Sequence, residues 1–260
     1  MSDNDSHYVN VALMLEVQRL AVNYPGFTGL RDVSFRVQPG ELVGVMGPNG
    51  AGKSTMIKAM MGLTPSTSGL VSYCTCPLCR QLDRVAYLPQ RSQVDWDFPI
   101  TVQTVVMMAR TRQMGWLRLP SKKDRILVQA ALERVAMWDL RDRRIGELSG
   151  GQQQRVFLAR SLAQQADVFL LDEPFTGVDS QTETIIFDIF AELKALDKIL
   201  LVSSHDWGQS VGQIDRMLLL NQKLIADGRP QDVMTPENLH RAYGVDRQLR
   251  HTAPAENLFC

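Results

Sequence analysis

The sequence has no apolar run long enough to cross a membrane. A spanning helix needs roughly 18 or more such residues, and the longest apolar stretches, near 168–171 and 199–202, have the length of buried strands. It has no surplus charge of one sign: 28 Lys and Arg face 28 Asp and Glu, which removes the basic bias of a general nucleic-acid binder. Internal repeats and low-complexity tracts are missing, so solenoid and linker-like architectures are excluded. The opening MSDNDSHYVN lacks the basic flank and apolar core of a secretory leader. These absences lead to the expectation of a soluble, cytoplasmic chain with no nucleic-acid partner, which a membrane would hold only through another protein. Cysteine is scarce too. Three of the four cluster as Cys74, Cys76 and Cys79, and Cys260 is the last residue; a cytosolic chain does not usually keep structural disulfides.

What is present reads as one globular unit. The chain has 260 residues, 45% hydrophobic and 22% charged, enough for one large domain or a domain with an inserted subdomain. Residues 15–22 and 33–37 read as strands of an antiparallel layer. Residues 41–46 read as a short apolar strand after a Pro39–Gly40 turn. A helix is expected from 53 to 61, ended by Gly62, then a strand at 84–88. The pattern is helical from 101 to 135, divided at Pro120, with Ser121 and Asp124 spaced as a capping box, and helical again over 151–164. Strand (168–172), helix (182–196) and strand (198–203) then alternate, as in a parallel sheet with helices on its faces. A terminal hairpin is expected at 216–220 and 223–227 around Asn221-Gln222, with a short helical extension from Pro230. The fold expected is α/β: a parallel-sheet core with an antiparallel β layer and an inserted α-helical subdomain. The core takes 14–90 and 160–228, the subdomain 91–159 and the tail 229–260.

Between the strand at 41–46 and the helix at 53–61 lies Gly47, Pro48, Asn49, Gly50, Ala51, Gly52, Lys53, Ser54 and Thr55, matching G-x-x-x-x-G-K-[ST]. Glycines let the backbone wrap phosphates where a Cβ would collide. Successive N–H groups and a helix N-terminus supply positive dipole ends. Lys53 is placed for the β and γ phosphates and Ser54 for Mg²⁺. The loop alone indicates binding of a nucleoside triphosphate, ATP among others, and makes the expected parallel-sheet core that of a P-loop NTPase (RecA-like).

About 100 residues further on, Leu148, Ser149, Gly150, Gly151 and Gln152 open a helix. A hydroxyl and backbone N–H groups at a helix start can face a γ-phosphate. With this LSGGQ the chain resembles the ABC ATPase family over about residues 14–230. The resemblance implies that this helix end faces the nucleotide of a second copy in a head-to-tail dimer. It also implies that Asp172, ending VFLLD, holds Mg²⁺ and that Glu173 polarises the attacking water. His205 would contact the γ-phosphate, Gln90 would sense Mg²⁺ and water, and Asp179 would sit in the loop that crosses the dimer interface. Tyr24 would stack on adenine, the alternative being a core tyrosine.

After Gln90 the chain reads RSQVDWDFPITV, which resembles ATPases of manganese, zinc and iron importers, nearest to manganese. Arg91, Asp95, Trp96, Asp97, Phe98 and Pro99 carry that match. It implies membrane permease subunits as partners, an extracytoplasmic metal-binding protein as an indirect one, and a peripheral place at the cytoplasmic face of the inner membrane. Trp96 and Phe98 are expected either to contact the permease or to pack inside the helical insert. The alternatives are a zinc or iron importer, another importer class, a regulatory binding module, or a non-transport ABC ATPase. The cluster Cys74, Cys76 and Cys79 is unusual for the family and is expected either to bind metal or sense redox state, with Cys260 as an outside fourth ligand, or to be an ordinary turn.

Overall fold

The computed structural model describes residues 13–115 and 118–244. Two sheets form its frame. Six strands lie in the order β10-β9-β3-β8-β7-β6, where β3 is Leu42–Met46, β6 Val85–Leu88, β7 Val168–Asp172, β8 Ile199–Ser204, β9 Arg216–Asn221 and β10 Lys223–Gly228. The five from β6 to β9 are parallel; β10 returns antiparallel to β9. The second sheet has the order β2-β1-β4-β5, with β1 at Leu15–Tyr24, β2 at Phe27–Val37, β4 at Ser68–Tyr73 and β5 at Cys76–Pro77.

The apolar runs of the parallel strands follow from burial on both faces. In β7, Val168 and Leu170 join the core beneath the antiparallel sheet, while Phe169 and Leu171 join the core beneath the helices. β8 alternates in the same way: Ile199 and Leu201 face one core, Leu200 and Val202 the other. Between these cores the sheet is fixed in register, because a one-residue slip would exchange its two faces.

Helix α1 is Lys53–Met60, and Gly62 follows at φ +74° as the sequence reading expected. Between β6 and β7 the described residues contain helices and turns but no strand. They comprise α2 (Val102–Met107), α3 (Thr111–Met114), α4 (Lys122–Arg134) and α5 (Gly150–Ala163). The expected capping box opens α4: Asp124 N–H donates to Ser121 Oγ at 3.2 Å and Ser121 N–H to Asp124 Oδ2 at 3.1 Å. Helix α6 (Ser180–Ala195) crosses from β7 to β8, and α7 (Pro230–Val233) and α8 (Pro236–Tyr243) form the extension from Pro230. The reading missed β4, whose first half is exposed and lacks a clear alternation. It also placed Asn221 in a turn, whereas β9 runs through Asn221 and Gln222 alone turns the chain at φ +57°.

A buried ion pair ties the helical segment together. Arg110 Nε donates to Asp124 Oδ1 at 3.0 Å and Nη1 to the Ala163 carbonyl at 3.1 Å. The Ser121 hydroxyl, then Arg110, holds the Asp124 carboxyl below its ordinary range against the opposing effect of burial. A carboxylate lowered in this way contributes stability that is full above the usual carboxylate range and is lost as pH falls through it. Arg110→Ala, which strands Asp124, is expected to cost about 3 kcal/mol in urea unfolding at neutral pH, and less at pH values where Asp124 is protonated. An equal cost at both pH values would refute the ion-pair explanation.

Candidate functional site

The parallel strands end on one edge of the sheet, and the segments leaving those ends carry the chemistry, as in other open α/β sheets. β3 leads into the glycine-rich loop, β6 into Gln90, β7 into Glu173 and β8 into His205. A cleft of about 430 Å³ opens there, lined by Tyr24, Phe27, Asn49–Thr55, Gln90 and Glu173 among others.

The loop is pressed against the sheet. A Cβ on Gly47 would stand 2.1 Å from the Leu220 carbonyl oxygen, so only glycine fits. Gln222 N–H donates to the Ala51 carbonyl at 2.7 Å, fixing the loop to the β9–β10 turn. Lys53 is buried, and its Nζ donates to the carbonyls of Gly47 at 2.8 Å and Pro48 at 3.2 Å. Burial pushes the Lys53 ammonium pKa down, while the nearby charges of Glu173 and Asp172 oppose that shift. A cation held by backbone carbonyls at the start of a helix, behind a glycine-rich loop, is suited to a polyphosphate.

One serine bonds both acidic residues, Asp172 at its carboxylate and Glu173 at its backbone N–H. Ser203 Oγ donates to Asp172 Oδ1 at 2.6 Å, and Glu173 N–H donates to both Ser203 Oγ and the Ser203 carbonyl at 3.1 Å. Glu173 adopts φ +53°, a conformation costly for a non-glycine residue and sustained here by that bifurcated bond. Its carboxylate Oε2 accepts from Gln90 Nε2 at 2.8 Å and Thr176 Oγ1 at 3.3 Å. Asp172 is fully buried, and among the described residues its Oδ2 has no hydrogen-bond partner.

At the cleft mouth Tyr24 is half-buried and stacks on exposed Phe27, with ring centroids 4.8 Å apart. The sequence reading identified Tyr24 but missed Phe27, Ser203 and Gln222. Phe27 sits at the start of β2, three residues from Tyr24 across a Pro-Gly turn, and that spacing was the available signal.

The remaining predicted residues lie outside this cleft. His205 is exposed and lines a neighbouring 860 Å³ hollow with Thr176, Gly177 and Trp207. Ser149 caps α5 in a capping box with Gln152: Gln152 N–H donates to Ser149 Oγ at 3.3 Å, and Ser149 N–H to Gln152 Oε1 at 2.9 Å. Gly150 and Gly151 form the first turn of α5. A Cβ on Gly151 would stand 3.4 Å from Asp179 Oδ2, so the signature helix and the Asp179 loop are neighbours within the chain. Asp179 caps α6, its Oδ1 accepting from Thr182 N–H at 2.7 Å, and this bond holds its carboxyl below the usual range.

A phosphate loop, a buried Asp172 followed by half-buried Glu173 and a glycine-opened LSGGQ helix, on a five-strand parallel core, occur together here. The family model described as ABC transporter matches residues 30–176. The chain belongs to the ABC transporter family. It is the ATPase part, with nucleotide binding and hydrolysis as its chemistry. A zinc transport system ATP-binding protein of Treponema pallidum is 47% identical over 90% of the chain and 88% of that protein. A manganese transport system ATP-binding protein of Bacillus subtilis is 46% identical over 88% of the chain and 92% of that protein. Among solved structures, a metal-chelate type ABC transporter in an inward-facing conformation superposes with a TM-score of 0.77 at 25% identity, covering 89% of each chain.

Among the described residues no three or more His, Cys, Asp or Glu side chains gather to hold a metal. Cys74 sits in the β4–β5 turn at φ +50° with its Sγ 3.7 Å from Arg84 Nη1, whereas Cys76 and Cys79 are exposed. Cys260 lies outside the described residues. Trp96 and Phe98 also part company. Trp96 is half-buried and packs on Phe157 with ring centroids 5.1 Å apart, while Phe98 is 59% exposed.

Proposed function

We propose that the chain is the ATP-hydrolysing subunit of an importer for a transition-metal ion, manganese first. It works as a head-to-tail pair with membrane permease subunits at the cytoplasmic face of the inner membrane, and an extracytoplasmic metal-binding protein supplies the ion. The observation that carries the hydrolytic part is the Ser203-anchored pair Asp172 and Glu173, set at the end of β7 above the phosphate loop. The importer part rests on relatives named for manganese, zinc and chelated iron transport. Zinc or iron is the second reading, favoured by those same names; the ion does not touch this subunit.

Tyr24 and Phe27 would hold the adenine, and Gly47–Thr55 with Lys53 the phosphates. Glu173, steadied by Gln90 and Thr176, would orient the attacking water and take its proton. Mg²⁺ fits the site, because the partnerless Asp172 Oδ2 is a buried carboxylate oxygen suited to a hard cation or its bound water. Ser54, Asp172 and Gln90 would hold the ion, which when bound neutralises β- and γ-phosphate charge. Ser149–Gln152 do not line the cleft of their own chain, which agrees with their serving a second copy whose Asp179 loop and His205 meet them at the interface. Residues 91–159 form the subdomain that carries this signature, 14–90 and 160–228 the nucleotide core.

The permease face is assigned to the helical segment around exposed Phe98 and Met108, beside an apolar 270 Å³ groove that also includes Val94, Ile100 and Phe157. Among the described residues no helix is long and apolar enough to cross a membrane, so attachment must come from a partner. Tagged chain should copurify with its permease, and Phe98→Asp should remove most of the permease while leaving the thermal midpoint unchanged. Retention of the permease at wild-type amounts would contradict this docking face.

A further inference from the structure

Arg91, the residue after Gln90, makes more contacts between motifs than any role so far requires. Its Nε and Nη2 donate to Gln153 Oε1 at 3.3 and 2.9 Å, and buried Gln153 in turn donates through Nε2 to the Ile145 carbonyl at 3.2 Å. The Arg91 carbonyl accepts from Trp96 Nε1 at 2.9 Å, so the loop closes back on itself. The guanidinium lies against the first turn of α5: a Cβ on Gly150 would stand 3.0 Å from Nη1 and 3.1 Å from Cζ. A Cβ on Gly177, in the loop before Asp179, would be 3.9 Å from the same Nη1. The space that a side chain at Gly150, the first glycine of LSGGQ, would take is thus filled by Arg91.

The placement works against local helix electrostatics. A cation beside a helix N-terminus opposes the dipole, and the capping box already satisfies the first turn. What Arg91 does supply is a rigid link. One peptide bond separates it from Gln90, which holds the Glu173 carboxylate; its other end fixes where Ser149–Gly151 point. Arginine's planar fork is suited to such a two-bond clamp, and lysine replaces it only in part.

We propose that Arg91 is a positioning residue for hydrolysis, setting the LSGGQ turn relative to Gln90 so that both halves of a composite site close in register. This rests on the reading that Ser149–Gln152 complete the site of a second copy. Arg91→Ala is expected to lower kcat by about tenfold or more with the ATP KM changed less than about twofold, and to leave ATP binding by the monomer and the thermal midpoint unchanged. Arg91→Lys should recover much of the loss. Gln153→Met should reproduce it, and the double variant should be no worse than Arg91→Ala. In full-length Glu173→Gln protein with Mg-ATP, the added Arg91→Ala should lower the dimer fraction on size exclusion. Full kcat and an undiminished dimer in Arg91→Ala would overturn the proposal. So would equal losses in the Ala and Lys variants accompanied by a lowered thermal midpoint, which mark a merely structural role. A Glu173→Gln parent that stays monomeric would instead overturn the head-to-tail reading, and the proposal with it.

Discussion

Glu173→Gln should lower ATP turnover by about a thousandfold while ATP still binds. Among the described residues the side chain is the one carboxylate in the cleft lining, and it is held by Gln90 Nε2 from the segment after β6 and by Thr176 Oγ1 three residues further along its own loop. The amide that replaces it keeps the volume and an acceptor oxygen, so those contacts persist and the phosphate loop is untouched. What it removes is the capacity to take a proton from water. Because hydrolysis is then the only step blocked, ATP remains at the interface and the paired state accumulates. Phosphate release and size exclusion on one sample read both effects. Near wild-type turnover would sink the assignment of Glu173 as the base, whatever the dimer does.

Lys53→Ala should fail earlier in the cycle. The buried ammonium group bridges the carbonyls of Gly47 and Pro48 and supplies the cleft's cation at the phosphates. Loss of charge-assisted bonds of this kind is expected to weaken ATP binding about 100-fold, and hydrolysis falls with it. The two variants therefore separate. Glu173→Gln binds ATP and accumulates the pair; Lys53→Ala does neither at ATP concentrations that saturate the wild type. Equilibrium binding of a fluorescent ATP analogue checks this, and unchanged affinity in Lys53→Ala would remove the lysine from the phosphate site.

The parts of this site visible in the sequence are those where sterics or burial leave one solution. Gly47 can have no Cβ because Leu220 O stands in its place, and the runs 168–172 and 199–204 are apolar throughout because two cores meet across one sheet. The parts that were not visible depend on partners far away in sequence. Ser203 reads as the polar end of an apolar strand, and only the pairing of Asp172 with Ser203 shows that it organises both carboxylates. Arg91 reads as one charged residue in a surface loop until α5 is packed beside it. Phe27 becomes part of the cleft mouth because β1 and β2 form a hairpin that brings it onto Tyr24. β4 escaped notice because half of it is exposed and contributes its edge, rather than a row of buried side chains. The cysteine run shows the converse. Its spacing looked like a ligand set, and among the described residues no such set gathers.

The central claim is that hydrolysis at Glu173 drives metal entry. Accumulation of radiolabelled Mn²⁺ by cells lacking the gene, complemented with wild-type or Glu173→Gln protein at equal abundance, tests it directly. The expected result is uptake restored by the wild type and absent with Glu173→Gln. Uptake that is undiminished by the deletion, or restored equally by both proteins, would contradict it.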